Sequence, residues 1–425
     1  MRLPISARLM PEAPTLPWKP FVVASLCFTL TIGALTGAID LWNLRVVMKA
    51  VPLDHHRAHA FAQLFGFLGL FTMGVSLHLA PRFFGAAPAT LARRGVMAWS
   101  GIGGVVLVIA GRLGGLLPFS EVFSVAGAVL VLVAMTAWAG LLLKFWRSRP
   151  GVGDALHRFL LAGVLWWWLA AVALLAWTLG QVFGGSLLGV PVESIWALGL
   201  FGGTASWLWG IFLRAGICTL RVKAPAEVAQ RRLFVVWQLA ALFAALAPWF
   251  DATWINAVQP LSAAVAVGMV WWTLRPFSGT ALEATMPPRA VQAGLVFLSI
   301  FALLSVWRAL GALGLWAPAL LGDATRHAFT LGGVTLMVLG FAGRMVPGFS
   351  GKTLRWKAGY DAGVLAVMIA AALRLAELVS SRLGFALAGA SGGLAFLGLA
   401  LVSTSLLGTI LPVPASQAGV AREAA

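Results

Sequence analysis

A series of long apolar segments, separated by short polar ones, constrains the fold of this chain more than any other feature. Read on a window of about 19 residues, each segment is long enough to cross the roughly 30 Å hydrocarbon core of a bilayer as an α-helix. The composition agrees, because 60% of the 425 residues are hydrophobic and only 10% are charged. The predicted spans lie near residues 20–38, 58–80, 96–116, 121–144, 157–183, 192–217, 232–250, 254–274, 291–314, 326–347, 360–380 and 385–411.

These segments indicate an all-α fold. Transmembrane β-strands appear in a sequence as alternating segments of about ten residues, and this sequence lacks that pattern. The prediction is a polytopic integral membrane protein of about twelve transmembrane helices. Residues 20–411 form its membrane domain, between cytoplasmic tails at 1–19 and 412–425.

The formal net charge of +17 has its explanation in the loops. If the N-terminus is cytoplasmic, most of the 30 Lys and Arg residues fall on the cytoplasmic side, as the positive-inside rule requires. Acidic residues divide almost evenly between the two sides. The charge therefore predicts a multi-pass protein in the lipid bilayer with both termini cytoplasmic, and no nucleic-acid partner.

Two of the six histidines are predicted to lie at one depth in the membrane. The second span begins shortly before His59 and the tenth begins at Arg326-His327, and under this topology both spans run inward from the outer face. Ionisable or ligating side chains inside spans are expensive and are usually functional. One imidazole from each of two helices, facing a shared apolar cavity, is the arrangement that ligates a haem iron from both sides.

Neighbouring residues extend this candidate site. On an α-helix, His59, Gln63 and Gly66 lie along one stripe with Leu70, and a glycine below the histidine leaves room for a flat cofactor. Cationic groups at the aqueous end would bind the haem propionates. The predicted site thus has His59 and His327 as iron ligands and four further cofactor-binding residues, Gln63, Gly66, Arg57 and Arg326.

The other four histidines leave alternatives open. His78 stands about 28 Å along the helix from His59, so one ligand cannot engage both. His78 and His157 are compatible with a second cofactor or with two interfacial residues. His55 and His56 are compatible with an external metal patch that includes Asp54, or with a solvated helix start.

The tenth span and its exit carry a family resemblance. The stretch His327-Ala-Phe-Thr-Leu-Gly-Gly, which continues to Gly-Arg-Met-Val-Pro-Gly-Phe-Ser-Gly-Lys-Thr-Leu354, and the pair Gly66-Phe67 resemble the NnrS family, which is related to haem-copper oxidase subunit I. In that family the second helix carries His-x-His shortly before Gly-Phe, and a later helix opens with His-Ala-x-Thr-x-Gly.

The resemblance implies a haem-copper oxidase subunit I-like bundle in which His59 and His327 bind a b-type haem. It further implies a bacterial inner membrane location and a role in the response to nitric oxide or in respiratory or denitrification metabolism. A redox partner or a respiratory complex would accompany that role.

The sequence also departs from the family pattern. Phe61 stands where the second histidine of the early motif would be, and Phe349 replaces the histidine of the late motif, which argues against a copper or second-metal site. Residues 192–250, where the wider superfamily builds its reducing centre, contain no histidine, and Tyr360 is the only tyrosine. A turnover oxygen or nitric oxide reductase is therefore not expected.

Two other readings stay open. A twelve-helix secondary transporter would use ionisable residues within its spans, and the possible markers are Arg112, Arg308, Arg374 and Glu377. These residues lie in the outer halves of their spans, where snorkelling explains them equally well, and Arg374 and Glu377 form an i, i+3 pair. No clear internal repeat relates the two halves of the chain, which weakens this reading. The third reading is a cofactor-free assembly subunit of a respiratory complex.

Overall fold

The described part of the chain folds into a bundle of long helices. A computed structural model describes residues 16–114, 119–148, 153–184, 189–279, 285–379 and 381–411. Within those ranges the structure is helical and has no strand, which confirms the all-α class. The predicted tails fall mostly outside the described residues. The helices are α1 Lys19–Val47, α2 Leu53–Phe84, α3 Leu91–Leu113, α4 Ser120–Arg147, α5 Ala155–Val182, α6 Val192–Leu220, α7 Glu227–Trp249, α8 Thr253–Leu274, α9 Met286–Ala312, α10 Leu321–Ser350, α11 Lys357–Arg374 and α12 Arg382–Ile410.

Eleven of these helices are long and apolar enough to cross a membrane. The exception is α11, which has 18 residues and carries the charged residues Lys357, Asp361 and Arg374. At 1.5 Å per residue it is about 27 Å long, and a short 3₁₀ turn, Leu375–Leu378, continues it. It packs against α12, and its charged residues lie toward its ends.

Three helices form the interior of the bundle. In α2, 89% of the most apolar window is buried inside the protein, against 78% in α6 and 72% in α10. The other candidate spans bury between 33% and 50% of theirs, so they have a large face toward the surroundings. The chain closes on itself because α12 packs along α1. A ligand enclosed by this fold would therefore contact α2, α6 and α10.

The two ends of the bundle differ in chemistry. At one end, Trp18 at the start of α1 packs against Phe349 near the end of α10, with ring centroids 5.7 Å apart. At the other end, Arg45 near the end of α1 pairs with Asp323 near the start of α10. The end that contains Arg45 and Asp323 is called the site end below.

Two helices reach further into the site end than their hydrophobicity predicts. The first predicted span stops at residue 38, whereas α1 continues to Val47 and so includes Asp40 and Arg45. The tenth was predicted from residue 326, whereas α10 begins at Leu321 and so includes Asp323. A hydropathy window detects only the apolar part of a helix. The polar ends of both helices carry groups that complete the site.

The interior helices contain π-helical segments, in which the hydrogen bonds run from i to i+5. Such segments are rare in proteins, and those that occur are often found at functional sites. The described residues include six, located at Thr29–Leu35, Asn43–Val47, Ala62–Gly69, Leu198–Thr204, Phe212–Gly216 and Ala328–Thr335. They all lie in α1, α2, α6 or α10. Because each wide turn changes the helical phase, the faces of these helices depart from the regular 3.6-residue pattern.

Candidate functional site

A large cavity lies inside the bundle at the site end. Its volume is about 840 Å³, within the range of about 300–1,000 Å³ that is usual for small-molecule and cofactor sites. Four of the predicted site residues line it, namely His59, Gln63, Arg326 and His327. Five of the six π-helical segments contribute lining residues. The two predicted iron ligands therefore share one cavity, and α2 and α10 form facing parts of its wall.

His59 is held by helix α1. Its Nδ1 lies 2.6 Å from the backbone carbonyl oxygen of Gly33 and donates a hydrogen bond to it. A Cβ atom on Gly37 would stand 2.6 Å from the same Nδ1, so only glycine at position 37 allows the ring to approach α1. With the proton on Nδ1, the lone pair of His59 is on Nε2. Metal-ligating histidines are commonly fixed in this way, through a carbonyl on the other ring nitrogen.

His327 has the same arrangement on helix α10. Its Nδ1 lies 3.0 Å from the backbone carbonyl oxygen of Asp323 and 3.3 Å from Oδ1 of the same residue. Both acceptors favour a proton on Nδ1 and a lone pair on Nε2. Each imidazole thus has its Nδ1 held by a second residue, and no hydrogen bond to either Nε2 occurs within the described ranges.

Gly66, a predicted cofactor contact, does not line the cavity. A Cβ atom there would lie 2.8 Å from the side chain of Phe28 on α1, so Gly66 allows α1 and α2 to pack closely. The prediction assumed a regular α-helix, but the π-helical segment Ala62–Gly69 rotates the residues after Gln63 away from the stripe below His59. Phe67 and Leu68 line the cavity instead.

Arg57, the other predicted propionate partner, also lies outside the cavity lining. Its guanidinium carbon stands 5.4 Å from the ring centroid of Trp177, and NH1 is 3.4 Å from Oδ1 of Asp54. Residues two positions apart on a helix point to nearly opposite sides, so Arg57 and His59 cannot serve one site. Arg112 joins this separate cluster, 4.5 Å from the Trp177 ring.

A network of four charged side chains supports the site end. Nη2 of Arg45 lies 3.3 Å from Oδ2 of Asp323 and 3.2 Å from Oε2 of Glu377, and Nη2 of Arg374 lies 2.5 Å from Oδ2 of Asp323. Arg374 also pairs with Glu377, which confirms the predicted i, i+3 pair. The Glu377 side chain is fully buried and that of Arg374 is 4% exposed. The snorkelling interpretation of this pair is wrong, because both side chains end inside the protein.

The network and the histidine site are connected through Asp323. Its carboxylate accepts from Arg45 and Arg374 and also lies beside His327. Helices α1, α10 and the end of α11 therefore fix the position of His327 together. The remote residue Glu377 takes part only through the two arginines.

Several cavity residues were missed by the sequence analysis. Asp40 lines the cavity, is 6% exposed, and has no hydrogen bond to Oδ2 within the described ranges. Arg308, which was considered only as a transporter marker, lines it as well. A charged residue in a long apolar stretch was the available signal. The spacing Gly33-x-x-x-Gly37 was another, because it marks close helix packing in membranes.

Aromatic rings from α6, α9 and α10 form an apolar part of the cavity wall. Phe201 of α6 and Phe329 of α10 stack with centroids 4.3 Å apart and planes 5° from parallel, and Phe301 of α9 packs against both. All three line the cavity. Tyr360, in contrast, is buried elsewhere and donates to the carbonyl of Leu339 at 2.7 Å.

His78 and His157 have separate environments. His78 contacts Arg82 and the ring of Phe349, with centroids 3.9 Å apart. His157 has both ring nitrogens engaged, Nδ1 with Asp154 at 2.5 Å and Nε2 with the carbonyl of Phe83 at 3.0 Å. These contacts give no shared position for a second cofactor.

The three residues of the predicted external metal patch, His55, His56 and Asp54, also have different surroundings. His56 lines the cavity, its ring centroid 6.3 Å from that of His59, whereas His55 is exposed and does not line it. Asp54 pairs with Arg57. Within the part of the chain that the structure describes, no group of three or more His, Cys, Asp or Glu side chains is placed to hold a metal ion.

No protein-family model matches this sequence, and no curated protein matches it. The site must therefore be interpreted from its own geometry.

Proposed function

We propose that this chain is a haem-binding membrane protein in which His59 and His327 ligate one b-type haem. One observation carries the proposal: two imidazoles from different helices line a single cavity, and each has its Nδ1 held by an oxygen atom. Two histidines are sufficient for this cofactor, because the porphyrin supplies the other ligands of the iron.

The cavity fits such a group in its chemistry. Phe201 and Phe329 contribute apolar side chains to the lining, and Arg326 offers a cation to a porphyrin carboxylate. A haem held by His59 and His327 would supply one-electron transfer. The protein residues orient and insulate it: Gly33 and Asp323 hold the two imidazoles, and the buried aromatic rings exclude water.

The physiological role that we propose follows the resemblance to the NnrS family. The protein supports a bacterial response to nitric oxide, or respiratory or denitrification metabolism, from the inner membrane with both termini cytoplasmic. A redox partner or respiratory complex exchanges electrons with it. Binding of an external ligand would require one histidine to leave the iron.

Titration of the purified protein with haem tests the proposal. We expect a saturable Soret change at one equivalent for the wild type, and its loss when His59 and His327 are both replaced by Ala. His55→Ala is the matched control, because His55 is exposed on the same helix and lies outside the cavity lining. Equal haem binding by the wild type and the double variant would remove the proposal.

A secondary transporter is the second candidate, and the ionisable lining of the cavity favours it. Asp40, Arg308 and His56 all face this space within a membrane bundle, as residues of a substrate pathway would. A transporter must expose its site alternately to both sides. If a cysteine at position 40 reacts with impermeant reagents from both membrane faces, this function is favoured, whereas reaction from one face alone favours a cofactor site.

A further inference from the structure

Two arginines in the cavity lack carboxylate partners. Arg308 projects from α9 and Arg326 from α10; both line the cavity and both are exposed to it. Within the described ranges, no Asp or Glu oxygen lies within 4.0 Å of either guanidinium group. Helices α9 and α10 are neighbours in the bundle. A negatively charged ligand in the cavity can therefore approach either guanidinium group.

The other two arginines of the cavity lining are already paired. Arg45 and Arg374 pair with Asp323 and Glu377. Arg57 pairs with Asp54 in a cluster that lies outside the cavity.

The carboxylates of the cavity lining do not replace an external anion. Asp323 is engaged by two arginines and by His327. Asp40, Glu193 and Asp251 also line the cavity, but none of them forms an ion pair with Arg308 or Arg326. Two exposed guanidinium groups that line one cavity and have no carboxylate partner within the described ranges are available to a negatively charged ligand.

We propose that Arg308 and Arg326 form an oxyanion-binding site at the site end of the cavity. A guanidinium group binds carboxylates, sulfate and phosphate through two parallel charge-assisted hydrogen bonds. Two such groups from neighbouring helices select a planar or tetrahedral oxyanion over chloride. The lining also contains Asn256 and Gln259 of α8, whose amides are uncharged hydrogen-bond donors. This site is argued from the arginines alone and does not depend on a haem.

The bound oxyanion has two possible sources, the carboxylates of a tetrapyrrole in the cavity or a free small anion. Both use the same hydrogen-bond donors. The first source predicts that the arginines and the histidines serve one ligand. The second predicts an anion site that persists beside a bound cofactor.

The first experiment measures thermal unfolding of the purified protein in detergent while sulfate replaces chloride at constant ionic strength. A site for sulfate predicts a saturable rise in the unfolding temperature. Arg308→Gln and Arg326→Gln should each weaken the apparent affinity by roughly tenfold or more, the loss of one charge-assisted contact. Arg382→Gln is the control, because Arg382 is an exposed arginine at the start of α12 that does not line the cavity. Absence of a saturable sulfate effect, or an equal loss in the control, overturns the proposal.

The second experiment separates the two sources. Haem and its dimethyl ester are compared as ligands, with sulfate as competitor. A porphyrin carboxylate at the site predicts that esterification and Arg308→Gln each weaken binding, and that sulfate competes. A free anion predicts that sulfate binds the haem-loaded protein unchanged. Repeating the sulfate titration with His59→Ala/His327→Ala protein distinguishes a failure of the haem site from a failure of the arginine site.

Discussion

Single residues decide whether the cavity can present two imidazoles to one ligand. His59 depends on the absence of a side chain at position 37 and on the carbonyl of Gly33. His327 depends on Asp323, which has two arginines as further partners. These supporting contacts are as specific as the histidines themselves, and they give predictions that differ from simple removal of a ligand.

Gly37→Ala should impair the site without touching either histidine. The new methyl group would overlap the His59 ring, so the imidazole must turn away and lose its bond to Gly33. We expect haem affinity to fall by about tenfold or more, and stability to fall by about 1–3 kcal/mol, as is usual for overpacking. Haem titration and thermal unfolding measure the two effects. Gly268→Ala is the control, since nothing lies within 4 Å of a Cβ at that position; identical behaviour of both variants would contradict this role of Gly37.

Glu377→Gln should destabilise the bundle far more than the removal of an exposed charge does. The substitution leaves two arginines with only Asp323 as a charged partner, inside the protein. Breaking a buried ion pair in this way costs about 3–5 kcal/mol. Asp361→Asn breaks the pair with Lys357, whose side chain is 63% exposed, and should cost less than about 1 kcal/mol. Chemical or thermal unfolding in detergent measures the stability that each variant loses. Equal losses would show that the buried network contributes no more to stability than the exposed pair.

Part of this site could be predicted from the sequence, because the distribution of charge indicates how each span is oriented and therefore at what depth its residues lie. The positive-inside pattern brought His59 and His327 to one end of the bundle, and the structure places both on one cavity. The predictions for Gly66 and Arg57 failed for different reasons. A π-helical turn shifted the first residue, and the helical phase directed the second to the opposite face. Such local departures leave no simple trace in hydrophobicity.

At the scale of elements, the position of helix α11 relative to the membrane gives a testable prediction. Of the twelve described helices α1–α12, it is the one that is not apolar enough to be counted as a candidate membrane span. It nevertheless packs along α12. The packing is close, because a Cβ atom on Gly363 would lie 2.6 Å from the carbonyl oxygen of Gly398. Its charged residues lie near its ends and have partners in the protein. These contacts favour a helix that crosses the membrane over one that lies on its surface.

Cysteine labelling in membranes tests the crossing of α11. After replacement of Cys27 and Cys218, single cysteines at Gly351 and at Ser381 flank the helix. An impermeant thiol reagent added to one side should label one position, and added to the other side should label the other. A single cysteine at Ser278, in the loop before α9, is the control, because this loop lies on the same side of the membrane as Gly351. Labelling of Gly351 and Ser381 from the same side would contradict a transmembrane α11.

Helix boundaries show a second limit of sequence reasoning. Apolar windows located every long helix, but they omitted the polar ends of α1 and α10, which carry Asp40, Arg45 and Asp323. Arg45 and Asp323 pair with each other across the two ends. Pairing between distant segments cannot be deduced from a window of neighbouring residues.

At the scale of the molecule, the bundle places its least exposed helices around the cavity at the site end. Helices α2, α6 and α10 bury most of their surface, and each contributes lining residues. A π-helical segment of each of these helices contributes to the lining as well. An interior built in this way has a cost in packing, since a cavity loses contacts that a filled core would make. A resident ligand between α2 and α10 would restore them.

The central claim, that His59 and His327 ligate one haem, is tested most directly by electron paramagnetic resonance of the oxidised, haem-loaded protein. Ligation by these two residues predicts a low-spin ferric signal characteristic of two histidine ligands. This signal should convert to a high-spin signal when either His59 or His327 is replaced by Ala, whereas His55→Ala should leave it unchanged. A protein that takes up no haem, or a low-spin signal that persists in both single variants, would contradict this ligation.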